Sequence, residues 1–164
     1  ILNKSSSALP CLSASALAAS SPVILNKSSR LAAMVRLTDY EEAVKALAAA
    51  SGLPHLSAVP IYVVGSRARS RAYARIWGLY KPLQEALGTG PVYVVELLDP
   101  FWRLDCLGRA KVLAHELAHI PRTASGALRP HNASFRRDLK VISRGVEEAC
   151  RAIREADRGG TPSL

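Results

Sequence analysis

The string His115-Glu116-Leu117-Ala118-His119 joins two imidazoles four residues apart to a glutamate, and on a helix this is a divalent-metal site with its own base. Helical residues four apart project from nearly one face, so both rings can reach one ion while Glu116 stands to one side. Zinc held by the two histidines and one further ligand keeps a fourth position for water and lowers its pKa towards about 7. The glutamate then takes the proton during attack on a carbonyl. The chemistry implied is zinc-dependent peptide hydrolysis with Glu116 as general base.

The surroundings must supply a helix, a turn and a third ligand. Leu107, Ala110, Leu113, Ala114, Leu117 and Ala118 recur at helical spacing, with Arg109 and Lys111 on other faces, which predicts an amphipathic helix from 105 or 106 to 120. Pro121 ends it, because proline lacks a backbone donor and disfavours helical geometry in the residue before it. Two histidines then remain, His55 and His131. His131 follows a stretch containing Gly126 and Pro130 that suits a loop folding back over the helix, which makes it the preferred third ligand. The alternative is a carboxylate from the next helix, Glu147 or Glu148. Arg144 and Arg151, at spacings of three and four from these acids, equally suit a solvated ion-pairing face. His55, beside Pro54 and far from the motif, reads as a surface residue.

The segments His115 to Pro121, Ser125 to His131 and Phe135 together resemble the metallopeptidases of archaea and phages related to the SprT and Spartan zincins. Those families pair HExxH with a histidine in a downstream H-x-x-x-F segment, matched here by His131 and Phe135. The resemblance implies zinc held by His115, His119 and His131, with Glu116 as base. It spans roughly residues 38–157, and its specific part is 115–135. Many SprT-type sequences carry glycine after the third histidine; this chain has Asn132, a residue that also tolerates left-handed backbone.

The rest of the chain must frame this site. With 164 residues and 49 % hydrophobic content, it can bury a core without disulfide support. Cys11, Cys106 and Cys150 have no zinc-ribbon spacing, and their odd number suits a reducing, cytoplasmic setting with Cys106 and Cys150 as small core or helix-face residues. No apolar run approaches the roughly 20 residues that cross a bilayer. Residues 1–33 are rich in serine and alanine and lack aromatic residues, and Ile-Leu-Asn-Lys-Ser-Ser occurs at both 1–6 and 24–29. That composition predicts a disordered leader rather than a folded repeat. Serines and Pro10 interrupt any secretory apolar run, and Met34, the only methionine, is a candidate natural start. The folded domain is expected over 34–158, with a short tail at 159–164.

A first helix is predicted from Thr38, capped by that threonine, acidic in its first turn at Asp39, Glu41 and Glu42, and stopped by Gly52. Strands are expected at 59–64, 73–79 and 92–97, and a last helix at about 134–157 with Phe135, Leu139, Ile142, Val146, Ala149 and Ile153 on one stripe. The fold class is α+β: a minimal zincin-like domain with an N-terminal helix, a three-stranded sheet, the HExxH helix and a C-terminal helix. The resemblance implies an exposed sheet edge beside the metal, able to accept a peptide as an added strand. Glu96 is either solvated or orients a ligand histidine. Arg129, two residues before His131, either stabilises the oxyanion of the tetrahedral intermediate or pins its loop. Tyr73 and Tyr80 are weaker oxyanion candidates, with core packing as their ordinary role.

The net charge of +9 favours acidic partners, and Arg67, Arg69, Arg71 and Arg75 cluster around Tyr73. They could form a nucleic-acid surface or a solvated hairpin. Three functions therefore compete: a peptidase acting on peptide or protein substrates, a nucleic-acid-binding module with structural zinc, and an inactive scaffold. The intact glutamate favours the first, since a structural metal site has no need of it. Sequence leaves the oligomeric state open.

Overall fold

The computed structural model describes residues 34–160. Expectations for residues 1–33 and 161–164, including the leader, Cys11 and the end of the tail, lie outside the described residues. The α+β class holds, on a four-stranded mixed sheet.

Four strands appear in the order β1-β2-β4-β3: β1 Val35–Arg36, β2 Ile61–Gly65, β3 Ala74–Gly78 and β4 Tyr93–Leu97. β2 and β4 run parallel; β1 and β3 flank them antiparallel. β1 was absent from the sequence expectation because two residues cannot display an alternation. Its neighbour Leu37 donates its backbone N–H to the Val63 carbonyl (2.8 Å), and Arg36 pairs with the buried Glu41 (2.9 Å). In β4, Tyr93, Val95 and Leu97 are fully buried, while β3 turns Ala74 and Ile76 inward and Arg75 and Trp77 outward.

One layer of helices covers the inner face. α1 (Thr38–Ser51) packs against β2, and α4 (Cys106–Ala118) against β3. Leu37 rather than Thr38 occupies the cap position of α1, without a side-chain bond, and Gly52 ends the helix at φ 62° as expected. Two short helices that no apolar period announced, α2 (Pro54–Ser57) and α3 (Lys81–Leu87), each begin with proline in the first turn, a position where the missing N–H costs nothing. A 3-10 turn over Asp99–Arg103 places Phe101 in the core, edge-on to Tyr40 and Trp102.

The predicted last helix is two helices, α5 (Ala133–Ile142) and α6 (Val146–Arg158), separated by a 3-10 turn at Ser143–Gly145. The apolar stripe runs through both, so periodicity alone could not show the break. At the break α1 comes close enough to require glycine: a methyl on Gly145 would lie 2.7 Å from Ala50 Cβ and 3.2 Å from Leu47 Cα. α6 packs on α1 and α4 and brings Cys150 to Cys106, with Cα atoms 5.1 Å apart and the two sulfurs bonded. This corrects the expectation of unpaired cysteines. Their periodicity placed each on a helix face without revealing that the faces meet, and the odd count carries no argument for a reducing setting. No helix among the described residues is long and apolar enough to cross a membrane.

Candidate metal centre

α4 delivers the first ring and the glutamate. Asp105 caps it by accepting from the Gly108 N–H (2.8 Å), and the apolar side, Ala110, Leu113, Ala114 and Leu117, is fully buried. Burial of that side fixes the rotation of the helix and so aims His115. The helix ends at Ala118, with His119 at its C-cap and Pro121 beyond, so the second ring leaves from the last turn rather than the helix interior. Glu116 is 9 % exposed, and burial raises its carboxyl to about 7.

The chain then loops through residues 121–131 and returns over the helix end. Two clamps hold it. On one side the Gln84 amide donates to the Ser125 carbonyl (2.8 Å), and the buried Tyr93 hydroxyl accepts from Gly126 N–H (2.9 Å) and donates to the Ala127 carbonyl (3.1 Å). Gly126 has φ 90°, and a methyl there would run into the Leu79 carbonyl oxygen. Gly126→Ala is therefore expected to destabilise the fold by about 2–4 kcal/mol, read as a lowered unfolding temperature of the metal-free protein.

On the other side Arg129 N–H donates to the His119 carbonyl (2.9 Å), and His119 Nδ1 donates to the Arg129 carbonyl (2.7 Å). Its guanidinium donates to the Ala118 carbonyl (2.7 Å), to Ser134 Oγ (3.2 Å) and to Asp138 (2.6 Å). Arg129 is buried and spends its donors inside the protein. This corrects the oxyanion role considered for it; the arginine pins the loop.

The result is a cluster of three rings. His115, His119 and His131 each offer a ring nitrogen, all within 4.8 Å of one another, and Nε2 of His131 faces Nε2 of His115 at 3.0 Å. Donors on a tetrahedral zinc stand about 3.3 Å apart, so the set fits such an ion. Burial pushes the pKa values of His115 and His119 down, helped by the neighbouring rings, and the neutral imidazole is the ligating form. The Arg129 carbonyl takes the Nδ1 proton of His119 and leaves its Nε2 for the cluster.

Phe135 lies under all three rings, with centroids 5.1, 4.7 and 4.6 Å from those of His115, His119 and His131. It stands in the first turn of α5, whose cap is Asn132: the Asn132 side chain accepts from Phe135 N–H (2.8 Å). Asn132 is extended, φ −89° and ψ −175°. Its place here rests on capping, not on the left-handed tolerance that the sequence suggested. The spacing from His131 to Phe135 thus encodes a ring, a cap and a floor. Glu147 and Glu148 are exposed on α6 and outside the cluster.

Three further expectations change. His55 is 8 % exposed, not a surface residue, and burial lowers its pKa; its neighbours come from α5 and the 121–131 loop, which sequence distance concealed. Glu96 is buried and accepts from the Trp77 indole (2.9 Å). It is therefore neither solvated nor bonded to a ligand histidine. Tyr73 and Tyr80 are exposed rather than packed in the core. Which strand forms an edge is not encoded in the apolar runs: β4 is an inner strand, β1 and β3 are the outer ones, and β3 is the edge beside α4.

A cleft of about 480 Å³ runs between that edge and α4, lined by Ala72, Tyr73, Ala74, Lys111, Val112, His115 and Glu116. Arg67, Arg69 and Arg71 are exposed on the loop from β2 to β3, and Arg75 on β3 donates to Ser70 Oγ (3.2 Å). They form an exposed basic stretch leading into the cleft wall.

Sequence reasoning missed Asp138, which is 1 % exposed and takes bonds from both Arg129 and Arg122. One signal existed: Asp138 falls between Phe135 and Ile142 on the buried stripe of α5, an apolar phase where a carboxylate needs a partner.

Two comparisons return nothing, since no curated protein and no solved structure matches the chain. A family model described as "Putative phage metallopeptidase" matches residues 32–155.

Proposed function

The chain belongs to this phage metallopeptidase family, and on that premise we propose that it hydrolyses peptide bonds with zinc held by His115, His119 and His131 and with Glu116 as general base. The observation that carries this reading is the three-histidine cluster beside a buried glutamate at the wall of an open cleft. Zinc held there supplies a Lewis acid for water and for the peptide carbonyl.

The chain's own residues do the rest. The open edge of β3 offers backbone groups to an extended substrate strand, which holds a peptide along the cleft and beside Glu116. Glu116 accepts a proton as the new bond to the carbonyl forms and returns it to the leaving amine; a carboxyl poised near neutrality suits both steps. Phe135 and the Arg129 network hold the imidazoles in place, so little reorganisation accompanies the reaction. His131 with Phe135 four residues on also supports kinship with the SprT and Spartan zincins.

Metal analysis tests the reading. Purified protein is expected to hold about one zinc per chain, and His131→Ala to weaken zinc binding by more than about a hundredfold. Wild-type protein that takes up no zinc would remove the basis of the proposal. A module using metal only for structure, or an inactive scaffold, predicts bound zinc without turnover on a proteome-derived peptide mixture.

A further inference from the structure

Lys111 stands one helical turn before His115 on α4 and is exposed. With Tyr73 and Ala74 it walls the same cleft as His115 and Glu116, and Glu116 is the only acid in that lining. Acids on the neighbouring elements are engaged elsewhere: Glu96 on β4 accepts from the Trp77 indole, and Asp105 caps α4. Just before Tyr73, the exposed Arg67, Arg69 and Arg71 add three positive charges on the loop that enters the cleft wall.

An open strand edge in such surroundings selects a chain by charge as well as by shape. A carboxylate entering the cleft beside Lys111 exchanges water for positive neighbours, whereas an ammonium there meets like charge. We propose that the cleft takes an extended peptide carrying an acidic side chain within two residues of the scissile bond, on the side that covers the N-terminal part of α4. One helical turn advances about 5–6 Å, and an extended strand covers that distance in about two residues. Lys111 is then a specificity-determining residue, and the arginines of the β2–β3 loop extend the preference to acids further out. The proposal rests on the peptidase reading above.

The test uses the zinc-loaded full chain and fluorogenic peptides that share a cleavage site mapped by mass spectrometry. The peptides differ only in Glu, Gln or Lys at the two residues on either side of that bond. Wild type is expected to favour Glu over Lys by about tenfold in kcat/KM, with the preference shrinking at high salt. Lys111→Met should flatten the ratio and Lys111→Glu should invert it, each ratio being taken within one variant so that an effect common to all the peptides cancels. Equal rates on the Glu and Lys peptides, or a ratio unmoved by Lys111→Glu, overturn the proposal and leave the peptidase reading standing. Cleavage that depends on added single-stranded DNA, with a flat peptide preference, assigns the basic surface to nucleic acid and overturns it equally. A wild-type protein that binds zinc but cuts no peptide overturns the peptidase reading and this proposal together.

Discussion

Glu116→Gln is expected to keep zinc bound and to lower peptide cleavage by at least about a hundredfold, up to about ten-thousandfold. The substitution preserves shape and the neutral hydrogen-bonding capacity of the side chain while removing the one carboxylate of the cleft lining. The three nitrogen donors are untouched, so zinc stoichiometry should match wild type. Retained turnover in this variant would exclude Glu116 as the base, whatever the metal content.

The same variant has a second effect, with a definite pH window. Burial holds the Glu116 carboxyl at about 7, above its ordinary value of 4.5. A raised pKa means that the fold tolerates the protonated form and resists the charged one. The metal-free wild type therefore keeps its full stability below about pH 4.5 and loses part of it as pH rises towards 7. The loss is on the order of 3 kcal/mol at its plateau. Glutamine does not titrate, so metal-free Glu116→Gln should unfold at a higher temperature than wild type at pH 8 and at a similar temperature at pH 4. A bound dication favours the carboxylate, which explains why a costly buried acid is compatible with the loaded protein. Equal unfolding temperatures at pH 8 would show that the carboxyl is solvated.

How much of this was legible in the sequence follows from the range of each interaction. The pair His115 and His119, the helix beneath them and the stop at Pro121 are local, set by spacing and by backbone chemistry within a few residues. His131 was reachable because its loop must turn back on the same helix. The open edge was not, since strand order depends on which of three similar apolar runs lies in the middle; only the sheet reveals β4 inside and β3 outside. The buried state of His55, the disulfide between Cys106 and Cys150 and the break at Gly145 all arise from contacts between elements far apart in the chain. Periodicity assigns a residue to a face but does not name the partner. Arg129 shows the limit well: its position two residues before a ligand fitted two roles, and only the bonds to Ala118, Ser134 and Asp138 separate them.

Those bonds make Asp138 a residue whose loss should reach both the fold and the metal site. It is 1 % exposed and joins Arg129 (2.6 Å) and Arg122 (3.1 Å). Burial alone would raise its carboxyl, but the bonds and charges of the two arginines outweigh that and hold it below its ordinary value of 3.8. A depressed pKa contributes stability that is present above about pH 4 and fades as pH falls below that value. Asp138→Ala leaves the Arg129 guanidinium buried without its counter-charge, an imbalance of about 3–5 kcal/mol. The unfolding temperature should therefore fall by about 10 °C or more at neutral pH, with the gap to wild type narrowing in acid. Through Arg129 the loss also reaches the metal site. Its carbonyl accepts the His119 Nδ1 proton and its N–H holds the His119 carbonyl, so a loosened Arg129 leaves that ring free to rotate. Zinc affinity, measured by chelator competition at a temperature where the variant remains folded, should drop by about ten- to a hundredfold. Asp138→Asn keeps an acceptor but no charge, and should fall between the two. Destabilisation without any change in zinc affinity would confine the Arg129 and Asp138 pair to holding the fold, and would uncouple α5 from the chemistry at His119.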